Sequence, residues 1–192
     1  ENVSGSDFVG QSAKAPHNSD SIMILPASFV KSDNGTGIVM SVPAHAPFDY
    51  QALLDSKSGK NKSINNDLLK NIQNIEPISM INTDGLGNIP AKDIVEKMGI
   101  SDQDDPKLEE ATKEIYSKEF YDGILANNTK QFAGKKISEA KDEIKEWITK
   151  IGSADILLEL TNSPVKCRCG TKCVVKLLSN QWFLDYSNKD WK

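Results

Sequence analysis

The sequence predicts an α+β fold, and two patterns that divide the chain support this prediction. Short apolar runs that end at turns fill the first 50 residues, and the run at 38–42 is nearly continuous in apolar residues before Pro43. Such a run is typical of a buried strand. Further along, apolar residues recur at helical spacing between residues that begin and end helices. Strands grouped before helices, rather than alternating with them, favour α+β.

The first part of the chain is expected to contain strands at 22–25 and 38–42, each of which stops at a proline. The stretch 55–66 is polar and rich in serine, asparagine and lysine, so its composition predicts a mobile loop. Another strand is expected at 77–81, and a short helix is expected from Pro90 to Met98.

Two longer helices follow in the second half of the chain. Asp105 can cap a helix that has Pro106 in its first turn and Gly123 just past its end. Another helix should begin at Ser138 and end at Gly152. Its apolar residues recur at helical spacing and give one continuous face: Ala140, Ile144, Trp147, Ile148 and Ile151.

Composition narrows the classes of function. The chain has 192 residues, enough for one good core or two small ones, and its net charge is −4. A protein that binds a long duplex through its charge normally has a basic surface, so this class is excluded, although the end of an RNA held elsewhere is not. No stretch approaches the ~18 apolar residues of a membrane span. The N-terminus has neither an initiator Met nor a signal-peptide pattern, so we expect a cytoplasmic chain that begins inside a larger protein or has been processed.

The last part of the chain combines a cysteine cluster with two apolar stretches, 174–178 and 182–184, that predict a small β ribbon. The three cysteines of the chain lie close together, at Cys167, Cys169 and Cys173. An odd number at this spacing is a poor disulfide framework and indicates a reducing compartment. A structural zinc normally takes four ligands, so free or packed thiols are expected, with a zinc site at these cysteines as the alternative.

The segment 35–50 carries most of the candidate chemistry. It consists of a glycine turn, the apolar run and a proline-bounded loop with one imidazole, His45, and one carboxylate, Asp49. A glycine turn lets the backbone approach a ligand closely, but no Gly-Lys-Ser/Thr follows, so the turn is not a P-loop. On the residues alone, a turn before a strand with a packed histidine is the commoner arrangement.

The same segment reads Gly-Thr-Gly-Ile-Val-Met-Ser-Val-Pro-Ala-His-Ala-Pro-Phe-Asp, and it resembles a signature of the leucyl-tRNA synthetases of the archaeal and eukaryotic type. The run at 42–47 separates it from the isoleucyl and valyl enzymes, which continue differently after their Gly-Thr-Gly strand. The chain also resembles the family at 134–141, 167–176 and 181–186. The His-x-Gly-His motif for ATP is missing from the sequence, whose only histidines are His17 and His45.

This resemblance implies that residues 1–54 supply strands of the C-terminal part of a partial, barrel-like editing domain. It implies a mostly helical insertion and connection at 55–154, and a cysteine-containing β ribbon at 155–192 that leads back to the catalytic core. The threonine-rich strand that forms the other wall of the family's editing pocket is expected before residue 1. The chain would therefore carry half of the editing site and none of the amino-acid activation site.

The resemblance also implies a reaction and a set of site residues. Leucyl-tRNA synthetases hydrolyse tRNA(Leu) that carries a wrong amino acid, because one missing methylene gives only ~1–3 kcal/mol of discrimination. Asp49 matches the aspartate that binds the substrate ammonium, His45 a residue beside the aminoacyl-adenosine, and Met40 a residue that lines the pocket. Backbone groups that are expected to approach the terminal adenosine come from one turn: Gly35, Thr36 and Gly37.

Other roles remain open for two of these residues. Asp49 can cap a helix that begins near Tyr50, a role that does not exclude substrate binding. For His45, packing alone is as well supported as contact with a ligand. The alternative function for the whole chain is a non-catalytic module that positions tRNA or mediates an interaction, and a small zinc protein rests on the cysteines alone.

Cofactors and partners follow from the resemblance. Editing needs no cofactor, whereas ATP and Mg belong to the full-length enzyme. The expected partners are the 3′ end of mischarged tRNA(Leu) and the rest of the synthetase, and no membrane is expected. Because half a barrel exposes strand edges and apolar surface, the isolated chain should dimerise through those edges or lie close to its stability threshold.

Overall fold

The computed structural model describes residues 3–16, 20–32, 36–59, 61–162, 164–176 and 179–191. The chain divides into two units, Glu1–Asp155 and Ile156–Lys192. Within the described ranges, the first unit combines five α-helices with two small antiparallel sheets, neither of which closes into a barrel. This mixture of helix and strand confirms the α+β prediction at the level of fold class.

The first sheet is a hairpin of β1, Ser12–Lys14, and β2, Ser21–Met23, with Ala13 opposite Ile22. Gly10 extends the pairing, because its N–H donates to the carbonyl of Ile24 at 2.9 Å. The strand that the sequence predicts at 22–25 is therefore present, although the regular ladder begins one residue earlier and ends at Met23.

The apolar run at 38–42 forms no regular element and has no strand partner among the described residues. Its apolar side chains are between 39% and 57% exposed: Ile38, Val39, Met40 and Val42. The prediction of a buried strand is wrong for this chain, because burial of a strand requires neighbouring elements that pack on both its faces. The run leads directly into the turn before the first helix.

The helices are α1 Pro47–Lys57, α2 Asn66–Gln73, α3 Pro90–Met98, α4 Lys107–Asp122 and α5 Ile137–Lys150. The last three confirm the predicted helices to within one residue at most boundaries. α3 ends at Gly99, whose φ of 60° lies in the left-handed region that glycine adopts without strain. The carboxylate of Asp105 accepts the backbone N–H of Lys107 at 3.0 Å, just at the start of α4.

The loop predicted at 55–66 is shorter in the structure, where the described residues between α1 and α2 form no helix or strand. Its first residues complete α1, and Ile64 is buried in a core shared with Leu53 and Ile72. Asn65 then caps α2, because its side chain accepts the N–H of Leu68 at 2.8 Å. The polar composition predicts the loop, whereas the burial of Ile64 and the capping role of Asn65 were not anticipated.

Two hydrophobic cores meet at α1. One lies among α1, α3 and α4 and contains Tyr50, Ala91, Ile94, Val95, Ile100, Leu108, Ala111 and Ile115. The other lies between α1 and α2 and contains Leu53, Ile64, Leu68 and Ile72. α1 is thus fixed by apolar packing on two sides, and so is the start of this helix.

A second sheet joins the middle of the chain to the segment before α5. It pairs β3, Ile81–Asn82, with β4, Ile124–Leu125, in antiparallel register. Gly123 separates α4 from β4, and its carbonyl accepts the N–H of Ile137 at 3.1 Å. A third core of Leu125, Phe132 and Ala140 lies beneath this sheet, with Trp147 packed against it.

The second unit contains little regular structure in its described part. It has one isolated bridge, between Lys166 and Lys172, and a short 3-10 turn at Lys189–Trp191. The predicted β ribbon is not formed among these residues, and Leu177 and Leu178 of its first stretch lie outside the described ranges. Trp182, in the second stretch of the predicted ribbon, is 98% exposed and belongs to no core. Across the residues that the structure describes, no helix is long and apolar enough to cross a membrane.

Candidate functional site

Asp49 lies in the first turn of α1, but it does not cap that helix. The N-cap residue is Ala46, and the Asp49 Oδ2 instead accepts the backbone N–H of Val42 at 2.6 Å. Burial raises the pKa of the Asp49 carboxyl above its ordinary value, and hydrogen bonds from Val42 and Ser41 lower it only in part. The carboxylate is therefore held by the loop that precedes the helix, in a place that disfavours its charge.

Among the residues that the structure describes, no lysine, arginine or histidine forms an ion pair with Asp49. The residue is nevertheless only 8% exposed. A buried carboxylate is normally paired with a cation or supplied with several hydrogen bonds, because transfer from water costs free energy. The hydrogen bonds that the chain donates to Asp49 compensate only in part for the lost hydration of its carboxylate.

The turn between the apolar run and α1 is tightly hydrogen-bonded. The carbonyl of Val42 accepts the N–H groups of both His45 and Ala46, each at 3.0 Å. The carbonyl of Ala44 accepts the N–H of Ala91 at 3.1 Å, which ties the turn to α3. Ala44 and Ala91 are both fully buried, and their small side chains permit this close approach of two backbones.

His45 is a buried residue of this turn, and both of its ring nitrogens form hydrogen bonds. Its Nδ1 lies 2.6 Å from Oε1 of Glu119, and its Nε2 accepts the backbone N–H of Met80 at 2.9 Å. The side chains of His45 and Glu119 are each only 5% exposed. The imidazole therefore connects three parts of the first unit: the turn, α4 and the segment that leads into β3.

Glu119 is a site residue that the sequence reasoning missed. The buried residues of α4 are Leu108, Ala111, Ile115 and Glu119, which follow one another at helical spacing. A carboxylate that continues an apolar stripe is a signal in the sequence, because such a residue is buried only where a partner satisfies it. The partner, His45, lies 74 residues away, and no local pattern identifies it.

An open groove of about 570 Å³ lies beside this cluster. Val42 and His45 line one part of it, and Tyr116, Glu119 and Phe120 of α4 line another. Burial raises the pKa of the Tyr116 phenol, and the negative charges of Asp49 and Glu119 raise it further. The groove is thus apolar, with carboxylates near it that would favour a bound cation over a bound anion.

The other predicted site residues belong to the apolar run and the turn before it. Gly35 lies outside the described residues. Gly37 has a φ of 72°, and its backbone lies close to that of Ser32. Thr36 forms local hydrogen bonds with Ile38, and Met40 is 48% exposed. The structure places His45 in the turn before α1 and Asp49 in the first turn of that helix. Thr36, Gly37 and Met40 precede both along the chain.

The structure corrects the interpretation of the cysteines. Cys167 and Cys169 are joined in a disulfide, and Cys173 is a free thiol. The prediction of free or packed thiols is therefore wrong for Cys167 and Cys169, and a disulfide sulfur lacks the thiolate charge that binds a metal. No group of three or more metal-binding side chains occurs among the described residues.

Comparison with known proteins connects this geometry to one family. A family model for the leucyl-tRNA synthetase editing domain matches residues 2–78. The leucine–tRNA ligase of Archaeoglobus fulgidus is 44% identical over 100% of this chain, which covers 21% of that protein. The enzyme of Methanosarcina mazei is 45% identical over 100% of this chain and 20% of its own length. The chain thus spans about a fifth of the length of the curated relatives it matches.

Solved structures agree with the sequence matches. The crystal structure of GlLeuRS-CP1 has a TM-score of 0.72 and 27% identity, over 82% of this chain and 61% of that one. The editing domain of the P. falciparum cytosolic leucyl-tRNA synthetase has a TM-score of 0.69 and 26% identity, over 78% of this chain and 47% of that one. By sequence along its whole length and by fold over most of it, the chain matches a segment of the leucyl-tRNA synthetases that includes part of their editing domain.

Proposed function

We propose that this chain forms one wall of the editing site of a leucine–tRNA ligase, where water hydrolyses the ester of wrongly charged tRNA(Leu). The observation that carries the proposal is Asp49: a buried carboxylate with no cation partner among the described residues. The α-ammonium group of an aminoacyl ester is a cation that such a carboxylate can bind. A charge-assisted hydrogen bond would fix the substrate and neutralise both charges.

The chemistry needs little from the protein beyond position. Once the ammonium is held, the ester carbonyl has a defined place, and a water molecule can be oriented for attack without a strong base on the enzyme. The carbonyl carbon gains the water oxygen, and the terminal ribose leaves with the proton. A site of this kind removes errors that differ from leucine by too little for the first selection to reject.

The remaining predicted residues have supporting roles in the proposal. Met40, half exposed in the middle of the apolar run, supplies apolar surface for the side chain of the wrong amino acid. Backbone groups of Thr36 and Gly37, together with Gly35, contact the terminal adenosine. The ring nitrogens of His45 are both occupied, so any contact of this residue with the substrate involves its ring face or its backbone.

Partners in the proposal are the 3′ end of tRNA(Leu) and the rest of the synthetase, which supplies the other wall of the pocket and completes a barrel-like domain. ATP and Mg serve amino-acid activation, and no described residue of this chain is assigned to them. The solved editing domain from P. falciparum is described as cytosolic, which supports the cytoplasmic location that the sequence predicts. Association of two isolated chains through the exposed run is also part of the proposal.

The test uses the full-length synthetase that carries this segment, as wild type and as Asp49→Ala. Deacylation of isoleucyl-tRNA(Leu) is measured together with the charging of tRNA(Leu) by leucine. Loss of the ammonium contact should lower kcat/KM for deacylation by about 100-fold or more, which corresponds to roughly 3 kcal/mol of lost transition-state stabilisation. Leucine charging should be unchanged.

Asp67→Ala provides a matched control, because Asp67 also lies in the first turn of a helix, α2, but is exposed. It should leave both activities as in the wild type. Unchanged clearance by Asp49→Ala would contradict the proposal and would favour a segment that only positions tRNA.

A further inference from the structure

Glu119 is a buried carboxylate to which the proposed chemistry gives no task. It is 4% exposed on the face of α4 that otherwise carries only apolar side chains. Such a position costs free energy unless hydrogen bonds compensate the lost hydration. The 2.6 Å hydrogen bond with His45 Nδ1 provides this compensation, so the role of Glu119 is to be sought in what it does to His45.

The hydrogen bonds of His45 define which of its nitrogens carries the proton. The backbone N–H of Met80 can only donate, so Nε2, which lies 2.9 Å from it, must accept and must be unprotonated. The proton of the ring is therefore on Nδ1, from which it is donated to Oε1 of Glu119. The Met80 N–H and the Glu119 carboxylate therefore favour the same tautomer, and loss of the acceptor at Nδ1 would leave the Nδ1 proton buried without a partner.

The tautomer matters because of what is attached to His45. If the proton were on Nε2, it would face the N–H of Met80, and the ring would be displaced from both partners. The backbone of His45 donates to Val42, whose own N–H holds the carboxylate of Asp49. Displacement of the ring would therefore move the turn and, through Val42, the orientation of Asp49.

We infer that Glu119 is a positioning residue of the proposed editing site, which acts through the tautomer of His45 on the turn that orients the Asp49 carboxylate. This inference rests on the proposed function. Glu119 touches no reacting atom. Its role is to place an acceptor oxygen at a fixed distance from His45 Nδ1, and its negative charge is secondary.

The test compares three substitutions in the full-length synthetase. Glu119→Gln keeps an acceptor oxygen for Nδ1 and removes the charge. Glu119→Leu removes the acceptor and keeps a similar volume. Glu119→Asp keeps the charge but, being one methylene shorter, moves the acceptor away from the ring. Glu110→Leu is the control, since Glu110 is an exposed carboxylate in the first turn of the same helix.

The Leu and Asp variants should lower kcat for deacylation of isoleucyl-tRNA(Leu) by about 10- to 100-fold, because a small misplacement of a reacting group is costly. KM should change by no more than about two-fold, since the body of the tRNA is bound elsewhere. Glu119→Gln should restore most of the wild-type kcat. Leucine charging by the same preparation reports the folded fraction and normalises each rate.

Two results would overturn the inference. The first is a normalised kcat that is unchanged in both the Leu and the Asp variant, which would show that Glu119 only stabilises the fold. The second is a Gln variant as slow as the Leu variant, which would show that charge rather than acceptance is required. Asp49→Ala in the same assay separates the two proposals: if it too leaves clearance unchanged, the proposed function fails, and if it abolishes clearance while the Glu119 variants do not, only this inference fails.

Discussion

At the scale of single residues, the proposed role of Asp49 as an ammonium anchor comes with a cost in stability. Its carboxylate is buried at the start of α1, where burial raises its pKa and the hydrogen bonds from Val42 and Ser41 compensate only in part. A group of this kind destabilises the folded chain when ionised, yet it is prepared for a cationic ligand. Functional sites commonly retain such unfavourable groups.

Asp49→Asn should therefore stabilise the folded chain at neutral pH while it weakens editing. The folded chain holds the Asp49 proton more tightly than the unfolded chain does. The contribution of this group to the free energy of unfolding is therefore greatest below its unfolded-state pKa and is lost as pH rises through its folded-state pKa. Asparagine can still accept the Val42 N–H and has no such dependence. Urea unfolding of both proteins from about pH 4 to about pH 8 should show an advantage of the variant that grows with pH.

Asp67→Asn serves as the comparison, since the Asp67 side chain is 92% exposed and close only to Lys70. Its difference from the wild type should stay small at every pH. If Asp49→Asn became relatively less stable as the pH rose, the carboxylate would have an ionic partner that favours its charge, and its role as an anchor would need another explanation.

At the scale of elements, the junction between α4 and β4 is a point of close packing. The N–H of Gly123 donates to the carbonyl of Glu119 at 2.8 Å, and a Cβ atom added at Gly123 would meet that carbonyl and lie 2.8 Å from Cγ2 of Ile81. The glycine has an ordinary φ of −73°, so its requirement is space and not conformation. Any larger residue must move the end of α4 or β3.

Gly123→Ala should lower the free energy of unfolding by about 1–3 kcal/mol, the usual range for overpacking at a rigid contact. Thermal unfolding of the isolated chain measures the effect. Gly5→Ala is the matched control, because an added Cβ at Gly5 meets nothing within 4 Å. Equal melting temperatures for the two variants would mean that the junction relaxes freely, contrary to the packing seen here.

The elements also show what the sequence could and could not predict. α3, α4 and α5 were predictable because their prolines, glycines and apolar spacing are local signals. The exposure of 38–42, and the lack of a ribbon among the described residues after 173, were not predictable, since strand burial and pairing depend on neighbouring strands that no local pattern reveals. The same limit applies to the site: the resemblance of 35–50 to a known signature identified Asp49, whereas the pairing of His45 with Glu119 arises only when α4 packs beside the turn.

At the scale of the whole molecule, the first unit has an exposed apolar segment. Its apolar run exposes Ile38, Val39, Met40 and Val42 in sequence, without a strand partner among the described residues. Exposed apolar segments tend to associate with other chains. In solution, the 192-residue chain should therefore self-associate as its concentration rises or unfold at modest temperature.

Val39→Lys should reduce this association, because a charge on an exposed apolar segment opposes pairing with a second copy. Sedimentation velocity over a series of concentrations measures the change. Ile78→Lys is the control, since Ile78 is also an exposed aliphatic residue, at 70%, but lies outside the run. A wild-type chain that stays monomeric at every concentration and unfolds only at high temperature would contradict the expectation.

The hydrogen bond from the Val42 N–H to the Asp49 carboxylate closes a short loop of chain, 42–49, and both ends of this loop are held in place. One end is tied by the bonds from His45 and Ala46 to the Val42 carbonyl, and the other end is the first turn of a helix packed on two cores. One residue added to this loop would rotate the helix start by about 100° relative to the turn and point the carboxylate elsewhere. Surface loops usually accept changes of length, but this one should accept substitutions far more readily than a single insertion or deletion.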